Sequence, residues 1–338
     1  MSGQEHESFR QRSYNASMPS PVNKRRRTKR RDPEHRLTEH RLTEKRNPAS
    51  KHLDRMTALE IARLMNREDC KVATAVGREL SAIARAVDAI VSGMRRGGRL
   101  IYVGAGSSGR MAVLDAAECP PTFGISPKRI VALIAGGRRA VTGAVEGAED
   151  SVRNGERDLR AKKLTPDDVV VGIAASGTTP YVLGALQFAR KQGAATVAIT
   201  ANRRMPAARL AEIVIAPEVG PEVLTGSTRL KAGTSQKMVL NMLSTASMAR
   251  LGHVYENLMI DAEMTNEKLA QRAVRIVQEA SGKSVSAAKH ALRAAGHDPR
   301  MALAMLKLGV DAREAKRKLR EARDDLRRAL GEKVASDE

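Results

Sequence analysis

The stretch RLIYVGAGSSGR, residues 99–110, decides the fold. Its first half is a near-continuous apolar run. Its second half is a glycine- and serine-rich turn, and an apolar helical pattern follows at 108–117. A strand that enters a helix through such a turn is the repeating unit of an α/β protein. The unit recurs downstream. RIVALIAGG (129–137), DVVVGIAASG (168–177), ATVAIT (195–200) and EIVIAP (212–217) are further short apolar runs. Helical patterns lie between them at 139–155, 180–192 and 203–211. Continuous rather than alternating apolar strands predict a parallel sheet covered by helices on both faces. Ligands of such sheets bind at the carboxyl ends of the strands.

Ahead of the sheet, LDRMTALEIARLMNRED (53–69) and KVATAVGRELSAIARAVDAIVSGMRR (71–96) carry apolar residues at helical spacing, the second broken early and stopped by Gly97-Gly98. After it, TGSTRLKAGTSQKMVLNMLSTASMARLG (225–252) is a polar turn running into a Met-rich helix, expected as core or subunit interface. Beyond about 265, Gly282, AAGHDP (294–299) and LGVD (308–311) punctuate three short helices. Three regions are expected: a basic, disordered extension over 1–42, an α/β domain with its leading helices over 43–265, and a helical subdomain over 266–338.

Composition narrows the function. The chain has 338 residues, enough for a sizeable core, with 42% hydrophobic residues but only 2% aromatic. So few aromatics argue against stacking platforms for single-stranded nucleic acid. The formal charge of +21 favours an anionic substrate or a polyanion partner. Its densest block, KRRRTKRR (24–31), is expected to be a solvated tail. Cys70 and Cys119 form no pairing or CxxC pattern, and the seven histidines show no ligand spacing, so no metal site is expected. No apolar run reaches membrane-spanning length, and a reducing cytoplasm fits the chain.

Two turns are built to hold an anion. GAGSSGR (104–110) offers Ser107, Ser108 and the close backbone approach of Gly109 at a helix start. It lacks the GK[ST] of a P-loop. Gly104, Gly106 and Gly109 match GxGxxG, but the next strand ends in glycines instead of a ribose-binding acid. AASGTTPY (174–181) offers Ser176, Gly177, Thr178 and Thr179. Either turn alone reads as function or as a helix cap. Both on one sheet edge suit a sugar phosphate.

VLDAAECPPTFG (113–124) then sets a carboxylate, Glu118, at the end of the first helix, before a rigid Pro120-Pro121 pair. A helix C-terminus and partial burial would both favour its protonated form, as a general acid requires. Asp115, a turn earlier, reads equally as a solvated helix charge. AVEGAEDSV (144–152) supplies Glu146, Glu149 and Asp150, and spacing does not choose among them.

These same segments resemble N-acetylmuramic acid 6-phosphate etherases. YVGAGSSGRMAVLDAAECPPTFG, AVEGAEDS, VVVGIAASGTTPYV, EVLTGSTRLKAGTSQKMVLNMLSTASM and TEKRNPASKHLDRMTALEIARLMNRED carry the resemblance, which runs from about Leu42 to the C-terminus. It implies a sugar isomerase (SIS) fold, usually dimeric, with a small ubiquitin-associated-like helical module at the C-terminus. It implies loss of the D-lactyl ether from C3 of N-acetylmuramate 6-phosphate, with no metal or redox cofactor. It gives Glu118 as proton donor and Glu149 as the second catalytic residue, to which we assign the base role. Ser107 stands where relatives often carry Thr and Thr178 where some carry Arg, and Arg138-Arg139 is unusually basic. Neither membrane nor nucleic acid is expected as a partner. Three other readings share the fold: a DNA-binding regulator, for which EIARLMNREDCKVATAV would be a helix-turn-helix, a sugar-phosphate sensor like the glucokinase regulatory proteins, and an aldose–ketose isomerase.

Overall fold

The computed structural model describes residues 42–261 and 267–333. The basic block 24–31 and all of the expected extension except Leu42 lie outside the described residues. Two helices, α1 (Ala58–Gly77) and α2 (Leu80–Arg95), precede the alternating part. That part runs β1 (Leu100–Gly104), α3 (Gly106–Phe123), β2 (Ile130–Ile134), α4 (Arg139–Thr142), α5 (Val152–Ala161), β3 (Val169–Ile173), α6 (Pro180–Lys191), β4 (Ala195–Ile199), α7 (Pro206–Leu210) and β5 (Ile213–Ile215). Helix α8 (Lys231–Arg250) returns across the sheet. The C-terminal region holds α9 (Glu267–Ser281), α10 (Val285–Ala294), α11 (Pro299–Leu308), α12 (Ala312–Glu321) and α13 (Leu326–Ala329).

All five strands are parallel and ordered β2-β1-β3-β4-β5. Every residue of β1 and β3 is buried, which is why they read as unbroken apolar runs. One face is covered by α1, α2, α3 and α8, around Val76, Ile90, Tyr102, Val171 and Leu240. The other is covered by α5, α6 and α7, around Val103, Leu159, Val170 and Leu186. Tyr255 and Ile260 are buried with Leu303, Leu319 and Leu326 in the C-terminal core, so that core begins before residue 266.

Several expectations change. The first helix starts at Ala58, where Thr57 and Glu60 form a reciprocal capping box, and runs without a break to Gly77. It swallows the whole segment 60–76, so no helix-turn-helix exists there. The early break expected within 71–96 falls at Arg78–Glu79, where the buried Glu79 carboxylate accepts from the Ala216 amide at 3.0 Å and pairs with Arg203. The helix expected over 139–155 is three pieces: α4, a 3-10 turn at Ala148–Asp150, and α5. The C-terminal region has five helices among the described residues instead of three.

Helices α5 and α6 meet at main-chain contact. A Cβ on Gly155 would lie 1.9 Å from the Tyr181 carbonyl oxygen, and one on Gly184 2.1 Å from that of Val152. Neither obstacle is a flexible side chain. Gly184→Val is therefore expected to destabilise the protein by about 3 kcal/mol or more. An unchanged urea midpoint would refute this tight seam.

The segment after Leu42 crosses the carboxyl edge of the sheet. The Leu42 amide donates to Asn202 Oδ1 at 2.8 Å, and Asn47 Nδ2 donates to Glu68 at 3.0 Å and to the Pro221 carbonyl at 3.2 Å. Lys231, 1% exposed, donates to the same Glu68 carboxylate at 2.6 Å. Glu222 caps α8 by accepting from the Lys231 and Ala232 amides at 3.0 and 2.9 Å. Burial alone would push the Glu68 carboxyl up, but hydrogen bonds from Lys231, Lys71 and Asn47 and the Lys231 charge hold it at about 2, below its ordinary 4.5. A depressed folded value stabilises above the unfolded one, so this contribution is full above pH 4.5 and is lost as pH falls toward 2. Urea unfolding followed across that window is expected to lose stability steeply in the parent protein, with a shallower slope in Glu68→Gln.

Candidate active site

The strand order creates a crevice. From β1 the chain crosses through α3 to β2 on one side, and from β3 it crosses through α6 to β4 on the other. Helices α3 and α6 lie on opposite faces. The switch point therefore falls between β1 and β3, where open α/β sheets hold their ligands. Both hydroxyl-rich turns leave the sheet there. Gly104 pairs with Ile173 in register, which sets the turns side by side, roughly 5 Å apart by strand spacing.

In the first turn, Gly106 takes φ +50°, and Ala105 before it is extended and gives no side-chain cap. Ser107 and Ser108 are half-buried, and no hydrogen bond within the described residues occupies their hydroxyls or amides. Gly109 has a packing role. It is buried, its N–H donates to the Ala105 carbonyl at 3.1 Å, and a Cβ there would lie 2.6 Å from Ile134 Cγ1. Its glycine is needed so that α3 can pack against the sheet.

In the second turn, Gly177 is likewise structural. It has φ +72°, donates to the Ala174 carbonyl at 2.9 Å, and leaves no room for a Cβ beside Met205. Ser176 Oγ accepts from the amide and the hydroxyl of Thr178 at 3.2 and 3.1 Å. Thr179 occupies the N-cap of α6, yet its side chain makes no cap bond. Neither turn spends its hydroxyls on capping its helix, which leaves two helix N-termini open to an anion.

Glu118 sits differently from expectation. Helix α3 continues through Pro120-Pro121 to Phe123 and ends at Gly124 with φ +61°. The prolines withhold the two donors that would bond the Ala116 and Ala117 carbonyls, and Thr122 Oγ1 adds a bond to the Glu118 carbonyl at 2.7 Å. Glu118 is exposed, so the helix end and the partial burial that were to favour its protonated form are both absent from the single chain. Around it on the same face lie Leu114, 44% exposed, with Ala117 and Pro121 also exposed. Twelve residues separate Glu118 from Gly106, or about 18 Å of helix. That exceeds the length of a hexose phosphate.

Asp115 is no solvated charge. It is buried, accepts from the Tyr102 hydroxyl at 3.0 Å and pairs with Lys237 of α8 at 2.9 Å. Its partner lies 122 residues away, and no local pattern announces it. Burial, then the Asp115 charge, push the Cys119 thiol up to about 12, so this cysteine is a packed side chain.

Glu149 stands on the 3-10 turn Ala148–Asp150, introduced by Gly147 at φ +66°. The turn packs against α6, and Ser151 closes it as the N-cap of α5, accepting from the Asn154 amide at 3.2 Å. Glu146, Glu149 and Asp150 are all exposed there. Arg110, which the sequence reading passed over, reaches from α3 to the carbonyls of Ala140 and Val141 at 3.1 Å each and of Gly143 at 2.6 Å. Among the described residues no cluster of His, Cys, Asp and Glu could hold a metal ion, and no helix is long and apolar enough to cross a membrane.

A parallel sheet ordered β2-β1-β3-β4-β5 with two phosphate-type turns at its switch point is a doubly wound α/β fold, and the family matches make this one a SIS-domain protein. Residues 148–246 match the SIS domain family, 82–190 the glucokinase regulatory protein N-terminal SIS domain, and 256–313 the C-terminal lid domain of glucokinase regulatory protein. The chain is 53% identical over 285 residues to an N-acetylmuramic acid 6-phosphate etherase of Serratia proteamaculans (strain 568), covering 84% of this chain and 96% of that one. It is 52% identical over 285 residues to the etherase of Yersinia pestis (strain Pestoides F), covering 84% and 97%. Among solved structures, a phosphoheptose isomerase from Neisseria gonorrhoeae aligns with TM-score 0.45 and 16% identity, covering 57% of this chain and 100% of that one. The chain belongs to the N-acetylmuramic acid 6-phosphate etherase family.

Proposed function

We propose that the protein cleaves the C3 lactyl ether of N-acetylmuramate 6-phosphate, giving N-acetylglucosamine 6-phosphate and D-lactate in amino-sugar catabolism and cell-wall recycling. The observation that carries this reading is the 53% identity to an etherase over 84% of this chain, set on a switch point with two open turns that suit a sugar phosphate. The phosphate takes the Ser107-Ser108 turn, and Ser176, Thr178 and Thr179 face the sugar. Ring opening exposes the C1 aldehyde and acidifies the C2–H. Glu149 takes that proton, the C3–O bond breaks, and Glu118 gives a proton to the departing ether oxygen, which becomes the lactate hydroxyl. Water then adds across the C2–C3 double bond, its oxygen to C3 and a proton to C2.

The separation along α3 fits a homodimer in which Glu118 of one chain serves the turns of the other. The exposed apolar face of Leu114, Ala117 and Pro121 fits a second copy, which would bring Glu118 to its partner's turns. The domain containing this site extends from residue 43 through helix α8, ahead of a C-terminal helical subdomain whose core takes in Tyr255 and Ile260, and the setting is the cytoplasm.

Incubation with N-acetylmuramate 6-phosphate in ¹⁸O water tests the reaction. D-Lactate and label at C3 of the sugar are expected. Absence of lactate would sink it in favour of a sugar-phosphate sensor, the reading to which the glucokinase regulatory protein matches otherwise point.

A further inference from the structure

Glu149 lies on the least supported part of the site. Residues 142–147 are exposed throughout, and a chain without a buried anchor has little to fix its direction. Downstream the turn is held by Ala148, packed on the second core, and by the Ser151 cap. Upstream, Ala140 is buried, the Gly143 N–H donates to the Arg139 carbonyl at 3.2 Å, Val145 lies beside Gly136, and Arg110 supplies the tie to α3. Its Nε donates to the Ala140 and Val141 carbonyls at 3.1 Å each, and its Nη2 to Gly143 at 2.6 Å. These carbonyls end the four-residue helix α4, where no helical N–H follows to satisfy them. A planar fork of donors can span three such oxygens at once, whereas an ammonium is a single point charge. Arg110 is also the residue directly after the first turn, on the first coils of α3. It thereby joins the phosphate turn to the segment that carries Glu149.

We propose that Arg110 is a positioning residue for Glu149: by clamping the end of α4 to α3, it fixes where the 143–150 segment leaves the sheet edge. The proposal rests on the reading of Glu149 as a catalytic residue. Without the fork the segment keeps its downstream anchors and the bonds within α4 but loses its hydrogen-bonded tie to α3. A displacement of about 1 Å at a proton-transfer group costs on the order of 10²-fold in rate.

Arg110→Lys keeps the charge beside the phosphate turn and removes the fork, and Arg110→Met removes both. Amide hydrogen exchange of residues 139–151 is measured without substrate. KM, kcat for lactate release and solvent exchange of the C2 proton are measured with N-acetylmuramate 6-phosphate. In the Lys variant, exchange of 139–151 is expected to accelerate, both rates to fall roughly 10²-fold, and KM to stay within about twofold. Unchanged amide exchange would overturn the clamp. Faster exchange with parental rates would overturn its positioning role, as would a raised KM with unchanged kcat, which marks a binding residue. Should Arg110→Met fail to fold, the Lys variant still decides. If the parent protein releases no lactate, the etherase reading fails while the amide exchange still tests the clamp.

Discussion

Glu118→Gln is expected to abolish lactate release while leaving exchange of the C2 proton with solvent measurable. The amide matches the carboxyl in shape but has no proton to give the ether oxygen, and a general acid supplies about 10²–10⁴-fold. Proton removal from C2 comes earlier and does not need that acid. Full activity in this variant would remove Glu118 from the mechanism. The same substitution tests which chain uses the residue. Helix α3 runs through Pro120-Pro121 without ending, so Glu118 lies three turns from its own Ser107-Ser108 turn. Ser108→Asp places a carboxylate in that turn and should repel a phosphate, so its homodimer should be inactive. Mixed with Glu118→Gln and allowed to exchange subunits, it should regain about a quarter of parental activity, because half of the dimers are mixed and each holds one intact site. If Glu118 serves its own chain, no mixture recovers.

Glu149→Gln is expected to remove both lactate release and C2 exchange, since a neutral amide cannot take the C2 proton. The loss should be about 10²-fold or more in each rate, with KM changed little because the phosphate turn is untouched. The contrast between the two variants assigns the roles. Persistent C2 exchange in Glu149→Gln would move the base to Glu146 or Asp150, which are exposed on the same stretch.

Much of the architecture was legible along the chain. The five strands lie where continuous apolar runs marked them, because a strand buried on both faces needs no polar alternation. Both turns were visible because glycine and small hydroxyl residues at a strand-to-helix junction have a local geometric purpose. The site was read less well. Pro120-Pro121 suggested a helix end, yet the helix passes through them, since Thr122 and Gly124 supply other bonds to the last turns. That one difference moves Glu118 from a half-buried end to an exposed face. Gly109 and Gly177 were read for their approach to a ligand, and the folded chain shows that close packing requires them too. Asp115 looked solvated because its partners, Tyr102 and Lys237, come from a strand and a helix elsewhere in the chain.

The sequence by itself determined the alternation of strands and helices, the two open turns, the carboxylate-bearing segments and, through resemblance, the etherase family. These are carried by periods of two to four residues and by contiguous motifs, which the chain holds before it folds. Only the tertiary structure decided the strand order β2-β1-β3-β4-β5, which puts both turns on one switch point. It alone set the depth of Glu118 along α3, the pairing of Lys237 with Asp115 and the clamp of Arg110 on α4. The physical reason is range. Strand order and buried charge pairs are fixed by packing between distant segments, and that packing leaves no periodicity at either end.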